Sequence, residues 1–420
     1  MTKNQKYIII AFVAISFLLV LAKSFYYTEK YGGVDLRHHV IASRLLATDH
    51  SPYLYKPEVS DGDFLLEGHR SIHKIGNGTT VTPSMLFILH PLSLLPYKTI
   101  RMIWLFVQFI LLTAILFIAI RSSNDSSKYF IPLSITIAGI VCSDAFFMHI
   151  ERGQVYILYA FLIALSYAFF KSKNKYGYLI SGIIIGILIF IRPLIVVFPV
   201  AFILIREKKW IYGCAIGIIA GFILFVLPKP ALWKDYFTAM RSIAEEYTNK
   251  SQHADPSAII YRNGTIEGMN NLQSYGIFKT GNLDTFHNYF EMLGINISLN
   301  TSLIIFAAIV LMMSIAFYRT NGQHASADLL FLYGFLLYIL SEVFIIAPRS
   351  SYCIVEWVLP VFIIANKFQA NETVVTFMIA GLLLLHGFPF NFPFQFDIAE
   401  AMLVCLLAYA VFKNQKTAIA

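Results

Sequence analysis

Asp35, His38 and His39 place a carboxylate beside two imidazoles in the stretch GGVDLRHHVIASRLLATDHSPY, about ten residues after the first long apolar run. Helical spacing of i, i+3 and i+4 puts the three side chains on one face. A carboxylate held this way can act as a general base toward an attacking hydroxyl. A solvated carboxylate paired with Arg37 is the structural alternative. A transition-metal site is a further one, although no HExxH, CxxC or acidic pair completes it.

Two arginines lie within or beside later apolar runs. Arg192 interrupts the run in FIRPLIVVFP, and Arg349 lies near Tyr352 in IIAPRSSYCIVEW. An arginine inside a membrane is costly, so it marks a functional site by default. A helix break at Arg192 also exposes backbone N–H groups that can bind an anion. Arg192 and Arg349 are therefore candidate site residues.

Amide side chains are concentrated in two further stretches. Gln154 lies in HIERGQVY, which spans residues 149–156 and is predicted as a turn between two membrane helices. Asn271, Gln273 and Ser274 lie in GMNNLQSYG. Amides in loops often only form turns, but they also suit the hydroxyl groups of a sugar. An interfacial salt bridge is the structural alternative for the charged residues of HIERGQVY.

The composition is that of an all-α polytopic membrane protein. Of 420 residues, 58% are hydrophobic and 13% are charged, whereas soluble proteins carry about a quarter charged residues. A membrane helix needs roughly 20 apolar residues. Runs that meet or approach this length are 7–22, 100–120, 129–148, 154–170, 178–205, 210–228, 298–318, 328–347, 351–366, 373–387 and 396–412. Proline breaks a helix, so Arg192-Pro193 divides the longest run and the total is about twelve spans.

The distribution of basic residues predicts the orientation of these spans. With both termini cytoplasmic, the short inner segments carry 14 Lys and Arg residues, whereas the short outer segments carry essentially Arg152, Arg192 and Arg349. This asymmetry follows the positive-inside rule. The net charge of +8 is therefore explained by topology and not by nucleic acid binding.

Two long loops, about 23–99 and 229–297, then lie on the extracytoplasmic face. The apolar segment 82–97 is too short and too proline-rich for a full span, which predicts a helix in or near the outer leaflet. The polar stretches described above all fall on this same side. We expect a single domain over residues 1–420 with one site at its outer face.

An ordered series of stretches over about residues 30–365 resembles glycosyltransferase family 87. These are polyprenol-phosphate-sugar-dependent enzymes of the GT-C fold that include α-mannosyltransferases. The matching stretches are Asp35 after the first helix, Pro52-Tyr53, VTPSMLFILHPLSLLPY followed by RMIWLF, RGQVYIL, GIIIGILIFIRPLIVVFP, NNLQS and APRSSYCIVEWVLP. Three positions depart from the pattern. Thr82 stands where the family often has Tyr, Arg192 replaces a common Lys, and the turn 348–352 lacks a His.

The resemblance implies a GT-C-like bundle of about twelve transmembrane helices with juxtamembrane helices in its outer loops. It also implies transfer of a hexose, with mannose as the expected sugar, from a polyprenyl-phosphate donor to a lipid- or glycan-linked hydroxyl outside the cytoplasm. No cofactor, metal or nucleic acid is expected. Asp35 would be the base, and Arg192 and Arg349 would bind the donor phosphate. The expected substrate contacts are His38, His39, Tyr53, Gln154, Asn271, Gln273, Ser274 and Tyr352.

Two other functions fit parts of the same pattern. A polysaccharide polymerase or ligase would use a lipid-diphosphate glycan. A transporter of lipid-linked sugars would also tolerate intramembrane charges, although transporters usually show internal pseudo-symmetry with sites near the midplane.

Overall fold

The computed structural model describes residues 3–31, 33–55, 57, 59–66, 79–123, 129–172, 174–248, 295, 297–321, 325–344, 351–386 and 395–413. All regular elements of these residues are helices. The α-helices are α1 (Lys3–Tyr31), α2 (Val34–Leu45), α3 (Pro83–Ser93), α4 (Tyr97–Arg121), α5 (Phe130–Thr136), α6 (Asp144–Arg152), α7 (Tyr156–Lys171), α8 (Gly177–Ile191), α9 (Val200–Leu204), α10 (Lys208–Gly221), α11 (Pro230–Thr248), α12 (Leu299–Asn321), α13 (Ala327–Phe344), α14 (Val358–Phe368), α15 (Glu372–Leu383) and α16 (Gln395–Phe412).

Shorter helical pieces extend or connect these elements. They are the 3-10 turns Val59–Asp61, Pro193–Val197 and Ser351–Trp357, the one-turn helix Asp63–Leu66, and the π-helical turns Ile137–Val141 and Phe222–Val226. The predicted apolar runs fall mainly on helical residues, and the short segment 82–97 contains α3 instead of a full span.

Seven helices of the described residues are long and apolar enough to cross a membrane. The number rises to eight if Phe130–Val141 and Asp144–Arg152, which meet at an angle of 60°, form one bent span. Tyr156–Lys171, Gly177–Ile191, Pro193–Leu204 and Glu372–Leu383 are apolar but shorter. The prediction of an all-α multi-pass membrane protein is confirmed, while the total of about twelve spans stays a prediction.

The run predicted over 129–148 is interrupted by a helix restart. The Ser143 hydroxyl accepts a hydrogen bond from the Phe146 N–H at 3.2 Å and caps α6. Gly153 ends the helix with a φ of 68°, a conformation that favours glycine. His149, Glu151 and Arg152 therefore belong to the last turns of α6, and the connection to α7 is shorter than the turn predicted over 149–156.

Helix α2 is fixed at both of its ends. At its start, Gly33 has a φ of 63° and its carbonyl accepts a hydrogen bond from the Tyr97 hydroxyl at 2.7 Å. Near its other end, the Arg44 side chain is only 2% exposed and donates to the carbonyls of Ser93 at 2.7 Å and Leu95 at 2.8 Å. These bonds satisfy donors of a buried guanidinium and hold Asp35, in the first turn of α2, in a defined place.

The predicted helix break at Arg192-Pro193 is present. Helix α8 ends at Ile191, and a 3-10 turn begins at Pro193 because proline lacks the N–H that would continue the helix. The preceding helix packs tightly against α10, since a Cβ on Gly182 would lie 2.2 Å from the Trp210 carbonyl oxygen. On the other side of the break, the Ser341 hydroxyl of α13 donates to the Leu194 carbonyl at 3.2 Å. These contacts hold Arg192 between α8 and α13.

Candidate functional site

The Asp35 carboxylate accepts two side-chain hydrogen bonds from the region where α6 ends. Arg152 Nη1 lies 3.1 Å and Gln154 Nε2 lies 2.5 Å from the same oxygen, Asp35 Oδ2. The side chains of the ion pair are about one quarter exposed. Asp35 and Gln154, which are 119 residues apart in the chain, are thus brought together as candidate site residues. Because both bonds converge on one oxygen, the orientation of the carboxylate is fixed.

A narrow cleft lies beside Gln154. It is lined by Thr80, Val81, Thr82, Gln154, Val155, Tyr156, Tyr159, Ile191, Arg192, Pro193 and Tyr236. Three tyrosines supply flat apolar faces with polar tips, and Gln154 and Arg192 supply hydrogen-bond donors. This combination of aromatic walls and few polar groups is typical of small-ligand sites. The same Gln154 side chain lines the cleft and contacts Asp35.

Arg192 is paired with a carboxylate inside the protein. Its Nε donates to Glu342 Oε1 at 3.0 Å, and its Nη2 contacts the same oxygen. The guanidinium also lies over the rings of Tyr156, at 5.0 Å, and Tyr159, at 5.8 Å. Since the Glu342 side chain is 1% exposed, the negative charge that balances Arg192 is permanently beside it.

Tyr338 connects this ion pair to a second buried carboxyl group. The Tyr338 hydroxyl lies 2.6 Å from Glu342 Oε1 and 2.7 Å from Glu356 Oε1. A tyrosine hydroxyl has one proton and can donate only one of these bonds. Glu342 carries the charge that balances Arg192, so the Tyr338 hydroxyl links this ion pair to Glu356.

The two histidines of α2 are uncharged at neutral pH. Burial lowers the pKa of His38 and lowers that of His39 to about 4, although Asp35 opposes both effects. His39 is 3% exposed, and its Nδ1 lies 3.1 Å from Thr79 Oγ1. His39 is thus bonded to the chain segment before the cleft and not to Asp35.

Tyr53 and Tyr352 lie on different sides of the cleft tyrosines. The Tyr53 hydroxyl donates to the Val81 carbonyl at 3.0 Å, and its ring contacts Tyr236 at 5.5 Å. Burial raises the pKa of Tyr53 well above its ordinary value. The Tyr352 ring lies 5.5 Å from the Arg152 guanidinium and 5.7 Å from the Tyr156 ring. Tyr53 supports one wall of the cleft, and Tyr352 lies beside the Asp35–Arg152 pair.

Several site residues were predicted in parts of the chain outside the described residues. Arg349, Asn271, Gln273 and Ser274 all belong to this group. The structure adds Tyr156, Tyr159 and Tyr236 as cleft residues and Glu342 as the partner of Arg192. The rule that singled out Arg192 applies equally to a glutamate within an apolar run, so Glu342 had a usable signal in the sequence. The tyrosines had none, because aromatic residues are common throughout the chain.

Comparison with known proteins agrees with the sequence resemblance. The sequence model of glycosyltransferase family 87 matches residues 80–348, more than half of the chain. The match includes Gln154 and Arg192 but begins after Asp35. A solved structure with a similar shape is the apo oligosaccharyltransferase of Archaeoglobus fulgidus, at a TM-score of 0.41 and 15% identity. That match covers 98% of this chain and 56% of the archaeal chain. No curated protein matches the sequence.

Proposed function

Because the chain belongs to glycosyltransferase family 87, we propose that it transfers a hexose, with mannose as the expected sugar, from a polyprenyl-phosphate donor. The acceptor is a hydroxyl group of a glycolipid or glycan at the extracytoplasmic face. The observation that carries this proposal is the contact of Asp35 with Arg152 and Gln154 at the edge of a tyrosine-lined cleft. The positive-inside distribution of Lys and Arg supports the outer location of the site and the cytoplasmic location of both termini.

In the proposed reaction, Asp35 is the general base. It takes the proton of the acceptor hydroxyl while the acceptor oxygen bonds to the anomeric carbon of the sugar. The bond between that carbon and the donor phosphate oxygen breaks, and the phosphate leaves with the bonding electrons. A phosphate monoester is a good leaving group, so the reaction needs no strong general acid. Arg152 and Gln154 hold Oδ2 of Asp35, and the other carboxylate oxygen is the proposed proton acceptor.

The tyrosine-lined cleft is the proposed site of the donor sugar. The ring faces of Tyr156, Tyr159 and Tyr236 can pack against the C–H surface of a hexose, and Gln154 can bond its hydroxyl groups. Arg192 lines the same cleft and stays a candidate contact of the donor, together with Arg349. A reaction of this kind needs no metal or cofactor.

The remaining predicted residues have proposed roles around this core. Tyr352 lies next to Arg152 and can contact the acceptor. His38, His39 and Tyr53 position the α2 segment and the cleft wall, and Asn271, Gln273 and Ser274 are proposed sugar ligands. The polyprenyl chain is expected to lie in a groove open to the lipid.

Donor consumption by purified full-length protein tests the proposal. The protein is reconstituted and incubated with prenyl-phosphate mannose, glucose or galactose, and release of the prenyl phosphate is followed by mass spectrometry. We expect acceptor-dependent consumption of one of these donors. Failure with every monophosphate donor, combined with consumption of a prenyl-diphosphate glycan, would favour a polymerase or ligase. Movement of an intact lipid-linked sugar without bond cleavage would favour a transporter.

A further inference from the structure

Three residues at the start of α4 lie on the side of the helix that faces the candidate site. Tyr97 donates to the Gly33 carbonyl at 2.7 Å, and Trp104 Nε1 donates to the Gln154 carbonyl at 3.3 Å. Arg101 lies four residues after Tyr97 and three before Trp104, so the three side chains share a helix face. Arg101 is therefore placed between the start of α2 and the turn after α6, the two segments that form the Asp35 cluster.

The Arg101 guanidinium has an unsatisfied edge. Its Nε and Nη2 atoms are buried and have no hydrogen-bond partner among the described residues. These two atoms form the side of a guanidinium that binds a phosphate or carboxylate through two parallel hydrogen bonds. A buried charged donor without a partner costs free energy, and an anionic ligand would remove that cost.

A second guanidinium lies close to the first. Arg37, two residues after Asp35 on α2, lies over the Tyr97 ring at 5.0 Å, and its charge repels that of Arg101. The acidic residues nearby already have basic partners. Glu29 pairs with Lys98 at 3.3 Å, and Asp35 pairs with Arg152. Arg37 and Arg101 thus place two guanidiniums on this side of the site.

The position of Arg101 along its helix fits the depth of a lipid headgroup. It is the fifth residue of α4, a helix of 25 residues that is long and apolar enough to span the membrane. A basic residue near the end of such a helix lies at the interface, where lipid phosphates are found. An anion that reaches this depth from the lipid is a phosphate attached to a hydrocarbon chain.

We propose that Arg37 and Arg101 form a binding site for the phosphate group of a lipid-linked substrate, next to Asp35. The two guanidiniums by themselves indicate a binding site for an anion. The part that this anion plays in catalysis rests on the proposed glycosyltransferase function. With the phosphate here and the sugar in the tyrosine-lined cleft, Asp35 lies near the bond between them. The phosphate belongs either to the prenyl-phosphate donor or to a phospholipid-type acceptor.

Binding of a sugar-free lipid phosphate tests this site without depending on turnover. Geranylgeranyl monophosphate is titrated into the purified full chain in a neutral detergent, with the uncharged alcohol as the reference lipid. Arg101→Gln and Arg37→Gln are expected to raise the Kd for the phosphate at least about tenfold, because each removes a charge-assisted contact. The control is Arg121→Gln, at the exposed opposite end of the same helix, where a change below about twofold is expected.

A second titration separates the two sources of the phosphate. Phosphatidylinositol replaces the prenyl phosphate as the probe in the same variants. If the arginine variants lose affinity for the prenyl phosphate alone, the site binds the donor. If they lose affinity for phosphatidylinositol alone, the site binds the acceptor. If the wild-type chain binds neither probe, or if Arg121→Gln weakens binding as much as Arg101→Gln, the proposal is overturned.

Two further variants keep the test independent of folding and of the proposed reaction. Arg101→Lys retains the positive charge but lacks the guanidinium edge that forms two parallel hydrogen bonds. We therefore expect weakened phosphate binding in a protein with wild-type thermal stability. Unchanged binding in both Arg101 variants would contradict the site. Asp35→Asn should bind the phosphate normally. If the protein binds lipid phosphate through Arg101 but consumes no donor, the phosphate site stands and the proposed reaction fails.

Discussion

Two arginine centres of the protein differ in how their charge is balanced. Arg192, in the tyrosine-lined cleft, is paired with the buried carboxylate of Glu342. Arg101 has a buried edge without a described partner and lies near a second cation, Arg37. The Arg192 guanidinium already has a carboxylate partner, whereas the Arg101 guanidinium would gain one by binding an anion.

This difference shows that an intramembrane arginine does not by itself identify a phosphate site. Burial makes any guanidinium expensive, and the protein can offset that cost with its own carboxylate or leave it to a ligand. The distinguishing observation is the set of partners around the guanidinium. Arg192 was the more conspicuous residue in the sequence, but Arg101 has the less satisfied environment.

The largest expected effect tests whether Glu342 balances the charge of Arg192. Glu342→Gln leaves a buried guanidinium without its anion, so we expect a loss of about 3 kcal/mol in the free energy of unfolding. Glu356→Gln is the matched control, because its amide oxygen can still accept the hydrogen bond of Tyr338 and the Arg192–Glu342 pair stays in place, and a loss below about 1 kcal/mol is expected. Denaturation in mixed micelles measures both. Equal losses would contradict Glu342 as the carboxylate that balances Arg192.

A smaller effect tests whether the cleft holds the sugar. Tyr236→Leu removes an aromatic wall, and we expect the Kd for a prenyl-phosphate hexose to rise about tenfold. Binding of the sugar-free prenyl phosphate should stay unchanged. Phe237→Leu serves as the control, since this neighbouring ring is 58% exposed. An equal loss of affinity for both ligands in Tyr236→Leu would mean that the cleft does not separate sugar from phosphate.

The smallest effect concerns the support of Asp35 by α2. The folded protein holds the pKa of His39 at about 4, below its ordinary value of 6.5. As the pH falls below 6.5, the unfolded chain binds a proton that folded His39 does not, so stability decreases. We expect His39 to contribute a loss of about 1 kcal/mol between pH 6.5 and about pH 5.5.

His39→Asn should remove this contribution, because the amide can still reach Thr79 but does not titrate. His50→Gln, at an exposed histidine of the following segment, is the control variant. Unfolding midpoints measured at several pH values compare the two variants. An identical pH dependence in wild type and His39→Asn would show that burial of this imidazole does not affect folding.

The helices of the fold were predictable because apolar length decides them. The break at Arg192-Pro193 followed from the missing N–H of proline, and the short helix α3 followed from its length and prolines. The restart at Ser143 was missed because apolar residues continue on both sides of it. A serine cap and a terminal glycine mark this helix in the sequence. They affect only the local backbone and do not interrupt the run of apolar residues from which the span was predicted.

The candidate site was predictable where a charge conflicted with its surroundings. Asp35, Gln154 and Arg192 stood out for that reason, and the structure places Gln154 against Asp35 and in one cleft with Arg192. The ion pair between Arg192 and Glu342 was not predictable from the sequence. Glu342 lies 150 residues after Arg192, and their contact depends on how α8 and α13 pack. Arg101 was seen only as part of the RMIWLF motif, because its exceptional feature is a missing partner, which only the fold shows.

Turnover by Asp35→Asn tests the central claim most directly. The variant is assayed with the donor that the wild type consumes, and donor binding is measured in the same preparation. Asparagine keeps the size of the side chain but cannot take the acceptor proton, so we expect turnover to fall about 1,000-fold. Donor Kd should change less than about threefold, because Asp35 does not bind the donor phosphate. Asp49→Asn, at an exposed aspartate in the segment after α2, is the control and should retain full turnover. Near wild-type turnover in Asp35→Asn, with the protein folded and the donor bound, would contradict the account.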